Sequence, residues 1–508
     1  MSSSTDIGVA KAGSAARASE TTETGLGLFT LDSNRLARMY ALVMGLALVA
    51  GIFLAFGLAL QPVSGAPADP EAYRRMYTMH GLALVFLVAL PAIPGVLGNV
   101  MLPRLVGEEG MAWPRLNLLA FHLFATGALL FLVAFLAAPA DTGWSLEVPF
   151  AISSTSGIAW SLAAMLSLAC SFVCSGANVI ATVVQSRRAG DGRAARSWSE
   201  LPFSAWAFSA AAFVQALAAP ILVVALVLLF AQRSGAADAI GASTPGADLR
   251  FDTWFWTWGH PAFGAMLLAA LAVVSEVFAS SAGRKNTATV GSVSALAAIV
   301  VLSFAGAGVH VLGRGASAGD DAGASALGLL TGVPFAYLVT TWLFQLAGGA
   351  LRVTTGLAYG LVFLVMLCAG GMAGVFLVLP PTAAYLQNTC FATAQFHYLA
   401  VGAALVALLA GVYHVWPSWA RATVREGGGM LACFLLFIGV HIAFVPTLLL
   451  GYLGQPRRTG ALVAGADDLA LWSAVGSALV IVAVVLAGWN LLASVLYSAS
   501  DEAGKDGA

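Results

Sequence analysis

Apolar runs of membrane-spanning length alternate with short polar breaks along almost the whole chain. They fall at roughly 37–61, 76–103, 116–139, 156–186, 201–232, 254–280, 288–312, 324–348, 353–380, 389–417, 429–454 and 469–498. Each approaches or exceeds the ~20 residues that a helix needs to cross a bilayer. Helices satisfy their own backbone groups in hydrocarbon, so the pattern predicts an all-α integral membrane protein, a twelve-helix bundle with short loops and no soluble domain. Residues 1–33 are polar and rich in Ser, Ala, Thr and Gly, with no apolar stretch of the signal-peptide kind. They are expected to form a disordered cytoplasmic leader, with 34–498 as the helical domain and 499–508 as a polar cytoplasmic tail.

Composition agrees with this pattern. Of 508 residues, 60% are hydrophobic and 9% charged, against about 25% charged in a soluble protein. The formal net charge of −1 argues against nucleic acid as a partner. Cys170, Cys174, Cys368, Cys390 and Cys433 all lie in apolar runs without zinc-type spacing, which makes them small core residues. With the amino terminus inside, sixteen of the 23 Lys and Arg fall in inner segments, which predicts both termini on the cytoplasmic side.

That orientation sorts the histidines by depth. His80, His260, His310 and His397 come from four different helices, and all fall in the outer half of the membrane. His122, His414 and His441 lie deeper or further in, and are expected to be polar residues bonded between helices. An imidazole inside a bilayer is costly and marks a functional candidate. The tenth run places Gln395 and His397 two residues apart, about 200° around a helix, so the two face nearly opposite neighbours.

The motifs around these residues resemble subunit I of the haem–copper oxidase superfamily, from the first helix to the twelfth. The second helix reads YTMHGLALVFLVALPAIPGVLGNVMLPRLVG and is followed by MAWPRLN, similar to that family's histidine–glycine opening, GN pair and MAFPRxN loop. The sixth helix carries WGHP, the tenth carries FHY and YHVWP, and GYLGQPRR follows the eleventh. The resemblance implies that His80 and His397 are the two axial ligands of one low-spin haem, of type a or b. It also implies that Arg457 and Arg458 hold the haem propionates, a role suited to the guanidinium fork.

Elsewhere the chain departs from the family pattern. Gln395 stands where a histidine would bind the oxygen-reactive haem, and Val309-His310 stands where a histidine pair would bind copper. His260 matches the remaining copper ligand, so His260 and His310 are expected to be a vestigial pair, and no copper is expected to be held. The family's HPEVY becomes His260-Pro261-Ala262-Phe263-Gly264, which loses a proton-carrying glutamate and a tyrosine. Gly110 and Pro334 replace an aspartate and a lysine of the proton routes. Gln387-Asn388 replaces a histidine–aspartate pair that helps to bind magnesium.

The expected function is that of a cytochrome c oxidase subunit I-like protein with a dismantled oxygen-reduction site. It would serve as a low-spin-haem electron-transfer or structural subunit of a respiratory complex in the bacterial cytoplasmic membrane. Other membrane subunits would surround it, with cytochrome c or quinol as electron donor. Two alternatives stand beside this reading: a working terminal oxidase or nitric-oxide-type reductase with unusual ligands, and a haem-free scaffold or transporter.

Overall fold

The computed structural model describes residues 28–64, 69–188, 195–236, 247–312 and 318–506. Side chains of residues 247–250, 309–312, 318–321 and 499–506 lie outside that description, so those of Val309 and His310 do too. Most of the expected leader and the side chains of the expected tail also lie outside the described residues.

Twelve helices are long and apolar enough to cross a membrane. They are α1 (Ser33–Val63), α2 (Pro70–Val106), α3 (Pro114–Ala137), α4 (Ile158–Ser186), α5 (Phe203–Arg233) and α6 (Phe251–Ser281). The second half comprises α7 (Val290–Gly308), α8 (Ala322–Ala347), α9 (Thr355–Val378), α10 (Cys390–Trp419), α11 (Glu426–Tyr452) and α12 (Asp467–Ser498). The backbone of α7 stays helical to Leu312 and so includes His310. Sequence neighbours pack together, with α11 on α12, α5 on α6, and α4 between α3 and α5, while α1 meets α12 and closes the ring.

Polar caps set several helix starts. Asp69 accepts from the backbone N–H of Glu71 at 2.9 Å and of Ala72 at 3.2 Å, and Pro70 supplies a first-turn residue that has no N–H to satisfy. This cap starts α2 six residues before the apolar run, so His80 sits in the third turn rather than at the helix end. Thr389 caps α10 in the same way through the N–H of Phe391.

Burial separates the helices. The most apolar windows of α2 and α6 are 83% buried and that of α10 is 61%, against 11% for α1 and 17% for α8. The three helices that carry His80, His260 and His397 are therefore the inner ones.

The apolar pattern does not reveal that α2 and α10 are not uniform α-helices. α2 widens into π-helix at Val85–Ala89 and Ile93–Gly98, and α10 does so at Val401–Val406. In α2 the cause lies in Pro91 and Pro94, which lack N–H donors and crowd the preceding turn. Leu90 N–H consequently reaches Val85 O, five residues back, at 3.1 Å. The first π segment of α2 touches that of α10, and they begin five residues after His80 and four residues after His397 respectively. Single π turns of this kind recur near functional sites.

Candidate functional site

His80 and His397 face one another across the centre of the bundle. Their ring centroids are 6.0 Å apart and their planes differ by 11°. His80 Nδ1 lies 2.9 Å from the carbonyl of Gly51 on α1, and His397 Nδ1 lies 2.7 Å from the carbonyl of Thr393 one turn back. A carbonyl oxygen only accepts, so both Nδ1 atoms carry the proton and both Nε2 atoms keep a free lone pair. His441 makes a similar bond to Phe437 O of its own helix, but its ring packs on Phe437 and Tyr398. That differs from the expected bond between helices. The feature particular to His80 and His397 is therefore that their rings face each other.

The two rings line a cavity of about 980 Å³ bounded by α1, α2, α6, α10, α11, α12 and the loop between α3 and α4. Apolar side chains such as Leu84, Val88, Val440 and Phe444 make most of its wall, and Phe444 stacks on His397 at 4.7 Å. The polar residues gather at one mouth and include Glu147, Gln387, Asn388 and Arg457. Such a shape, large and apolar with a few polar groups at one end, is that of a cofactor pocket.

The mouth is built by two loops that pair across a single antiparallel bridge, Thr389 to Pro456. Cys390 N–H donates to Gln455 O at 2.9 Å, and Arg457 N–H donates to Asn388 O at 3.2 Å. The Arg457 guanidinium then donates to Asn388 Oδ1 at 3.1 Å. Asn388 thus orients Arg457, whose side chain lines the cavity.

The two arginines, grouped together from the sequence, diverge in the structure. Arg458 has a left-handed backbone (φ +69°) and forms an ion pair with Glu147 on the loop between α3 and α4. Its Nε is buried without an acceptor.

That same loop carries a residue which sequence reasoning overlooked. Trp144 stacks on Phe396 at 5.8 Å and meets Phe263 and Trp256 edge-on at 6.1 and 5.9 Å. A Cβ at position 81 would lie 2.6 Å from Trp144 Cβ, so the glycine after His80 makes room for this ring. Phe263 and Phe396 also meet edge-on at 5.1 Å. One wall of the site is therefore an aromatic wedge packed between α6 and α10. A tryptophan in the loop between α3 and α4 was the available signal.

The positions that depart from the family pattern are occupied by ordinary helix packing. Gln395 points away from His397, and its Nε2 donates to Gly370 O on α9 at 3.2 Å, as the 200° spacing requires. A Cβ on Gly264 would collide with Ser303 Oγ and lie 2.8 Å from Ser303 Cβ, so α6 and α7 touch where the family has a tyrosine. Ala262 and Pro334 are buried. His260 lies against Gly306 on α7 and faces the cavity, where the side chains of Val309 and His310 are outside the description. Among the described residues, no three His, Cys, Asp or Glu converge as a metal site would require.

At the opposite end of α2 from His80, the loop holding Glu108, Glu109 and Gly110 is sewn to the bundle. Met111, Ala112 and Trp113 N–H groups donate to Ser33 Oγ, Thr182 Oγ1 and Asn178 Oδ1 at 2.9–3.0 Å. A Cβ at Gly110 would come within 3.2 Å of Ser33 Oγ, so this position lies directly against α1.

Comparison with known proteins agrees with this architecture. Residues 35–492 match the family model described as cytochrome c and quinol oxidase polypeptide I. Over 483 residues the chain is 29% identical to a probable cytochrome c oxidase subunit 1 of Bradyrhizobium diazoefficiens, covering 92% of this chain and 70% of that protein. It is 28% identical over 480 residues to cytochrome c oxidase subunit 1 of Bacillus subtilis, covering 93% of this chain and 75% of that protein. Quinol oxidase subunit 1 of the same organism is 27% identical over 485 residues, covering 94% and 74%. A solved structure of a heme-copper terminal oxidase dimer superposes with a TM-score of 0.76 over 91% of this chain and 84% of that chain, at 16% identity, which speaks to the fold. The chain is a multi-pass membrane protein that belongs to the cytochrome c and quinol oxidase polypeptide I family, the subunit I of haem–copper oxidases.

Proposed function

We propose that this chain is an electron-transfer subunit of a respiratory complex that holds one low-spin haem between His80 and His397 and does not reduce oxygen. The observation that carries the reading is the pair of facing imidazoles. Two metal–nitrogen bonds of about 2.0 Å, with half a ring on each side, span about 6 Å. The 6.0 Å between centroids matches that span. Both Nδ1 protons are engaged by carbonyls, which leaves both Nε2 atoms as donors for iron and holds the rings in place.

A haem held by His80 and His397 would supply one-electron exchange at this site. The protein's own part is to bind, orient and exclude. Apolar walls keep water from the ring faces, and Arg457, held by Asn388, offers its remaining guanidinium donors to a propionate. Arg458 has an unsatisfied Nε at the same mouth, although Glu147 already claims part of its charge.

Loss of oxygen chemistry is supported by the opposite arrangement beyond the aromatic wedge. Gln395 is bonded to α9, and Gly264 leaves no room for a tyrosine against Ser303. No proton-carrying side chain stands at 262 or 334. Each missing group would serve a different step, and no single residue replaces them all. Both termini are placed on the cytoplasmic side by the distribution of Lys and Arg, with cytochrome c or quinol as donor and further membrane subunits as partners. The relatives named above as cytochrome c and quinol oxidases favour the rival reading, a working oxidase.

A haemochrome assay with protein quantitation separates the readings. One haem per chain, with no carbon monoxide shift and no oxygen uptake above background on reduced cytochrome c or quinol, is the expected result. Two haems with a carbon monoxide-sensitive spectrum would establish the oxidase, and no haem would establish a scaffold.

A further inference from the structure

Building on the haem reading, we propose that Glu147 is a positioning residue that sets the reduction potential of the haem by neutralising Arg458 at the mouth of the cavity. Glu147 lines the cavity, and its carboxylate pairs with the Arg458 guanidinium, with side chains 25% and 23% exposed. The pair is therefore screened from solvent far more than a surface ion pair, and each charge acts on its surroundings through a medium of low polarity.

The position of Glu147 is fixed by the helix that carries His80. Gly143 N–H donates to Thr78 Oγ1 at 2.8 Å, and Thr78 lies two residues before His80. Glu147 N–H donates to Thr142 O at 3.1 Å, which closes the turn, and Ser145 Oγ lies 3.4 Å from Glu147 Oε1. On the other side, Arg458 occupies a left-handed backbone conformation that residues with a side chain rarely adopt. Its guanidinium carbon lies 5.8 Å from the Tyr77 ring centroid, so α2 also flanks it. Both partners are thus built into the framework of the His80 side of the site.

The consequence is electrostatic. A cation near a redox centre favours the reduced form, and an anion favours the oxidised form. Arg457 remains as the cation that lines the cavity, while Glu147 cancels the second arginine. Asp252 on α6 also lines the cavity and is a constant background in every variant below.

The test is a potentiometric titration of the purified holoprotein, following the low-spin haem spectrum. Glu147→Gln keeps the shape of the side chain and removes its charge. It should shift the haem equilibrium at least tenfold toward the ferrous form, a rise of about 59 mV for one electron. Glu147→Asp, which keeps the charge, should stay close to the parent potential. Arg458→Gln should shift the equilibrium in the opposite direction, and the double variant Glu147→Gln/Arg458→Gln should return toward the parent value. That return separates a charge effect from a packing effect, because a merely structural pair would show the same direction of change in both single variants. If the haem spectrum is intact and Glu147→Gln and Arg458→Gln both titrate like the parent, the role assigned to Glu147 is wrong while the haem site stands. If the parent binds no haem, both proposals fall together.

Discussion

The two faces of α10 make an informative comparison. On one face His397 looks across a cavity of about 980 Å³ at His80, and its ring Nδ1 bonds the Thr393 carbonyl, which fixes its tautomer. Two residues earlier, on the other face, Gln395 meets a neighbouring helix at close quarters. A Cβ at Gly370 would come 2.7 Å from Leu399, and one at Gly374 would come 3.3 Å from the Gln395 amide. One face has polar donors arranged around empty volume. The other has small residues and satisfied amides arranged around contact. A wide cavity forgoes dispersion and burial energy that a packed interface retains, a cost that a binding site carries and a helix contact does not.

The strongest way to break this comparison is to remove its imidazoles. His80→Ala and His397→Ala should each abolish the six-coordinate low-spin spectrum, since one remaining ligand leaves the iron five-coordinate or unbound. His260→Ala should leave that spectrum unchanged. A loss of signal in His260→Ala equal to that in His397→Ala would show that the imidazole of α6, which also lines the cavity, is needed for the low-spin site.

A smaller effect tests the packed side. Gly264→Tyr adds a Cβ where Ser303 already stands, and overpacking of this kind costs about 1–3 kcal/mol. Replacing a glycine in a helix interior returns up to ~1 kcal/mol, so the net change is still a lower unfolding midpoint in detergent. Adding Ser303→Gly removes the colliding atoms, and the double variant should be less destabilised than Gly264→Tyr alone. Full stability in the single variant would mean that α6 and α7 leave room there for a tyrosine.

How much of this was legible beforehand differs between the levels of structure. Twelve helices follow from the apolar runs because a bilayer admits few other solutions, and the observed bounds differ from the runs by a few residues. That the rings of His80 and His397 would meet was legible from the motifs around them. The Nδ1 partner of His80 was not, since Gly51 lies on another helix and only packing brings its carbonyl near, whereas that of His397 is the Thr393 carbonyl one turn back on its own helix. The π turns in α2 have a visible cause in Pro91 and Pro94, but those in α10 contain no proline, so no local residue announces them. Arg457 and Arg458 look equivalent in sequence. They diverge because one meets Asn388 while the other, in a left-handed conformation, meets Glu147 from a distant loop. Local pattern predicts where a side chain sits along the membrane normal, and long-range contact decides what it touches.

The smallest expected effect is the most pointed test of the difference between the faces. Gln395→His restores the residue type that the family uses to hold a second haem. The substitution breaks the donation to Gly370 O, which contributes about 0.5–1.5 kcal/mol. The Gly370 carbonyl lies within α9, so its loss of a second donor leaves no orphaned group. An imidazole at 395 would still meet Gly370 and Gly374 of α9, with Phe263 and Trp144 packed against the neighbouring Phe396. A ligand alone does not open volume between helices that are already in contact. We therefore expect Gln395→His to keep one haem per chain, an unchanged low-spin spectrum, no carbon monoxide shift and a slightly lower unfolding midpoint. A second, carbon monoxide-sensitive haem in this variant would mean that the space behind Gln395 is still a cofactor pocket, and that one side chain, rather than the packing of α6, α7, α9 and α10, decides whether a second haem binds.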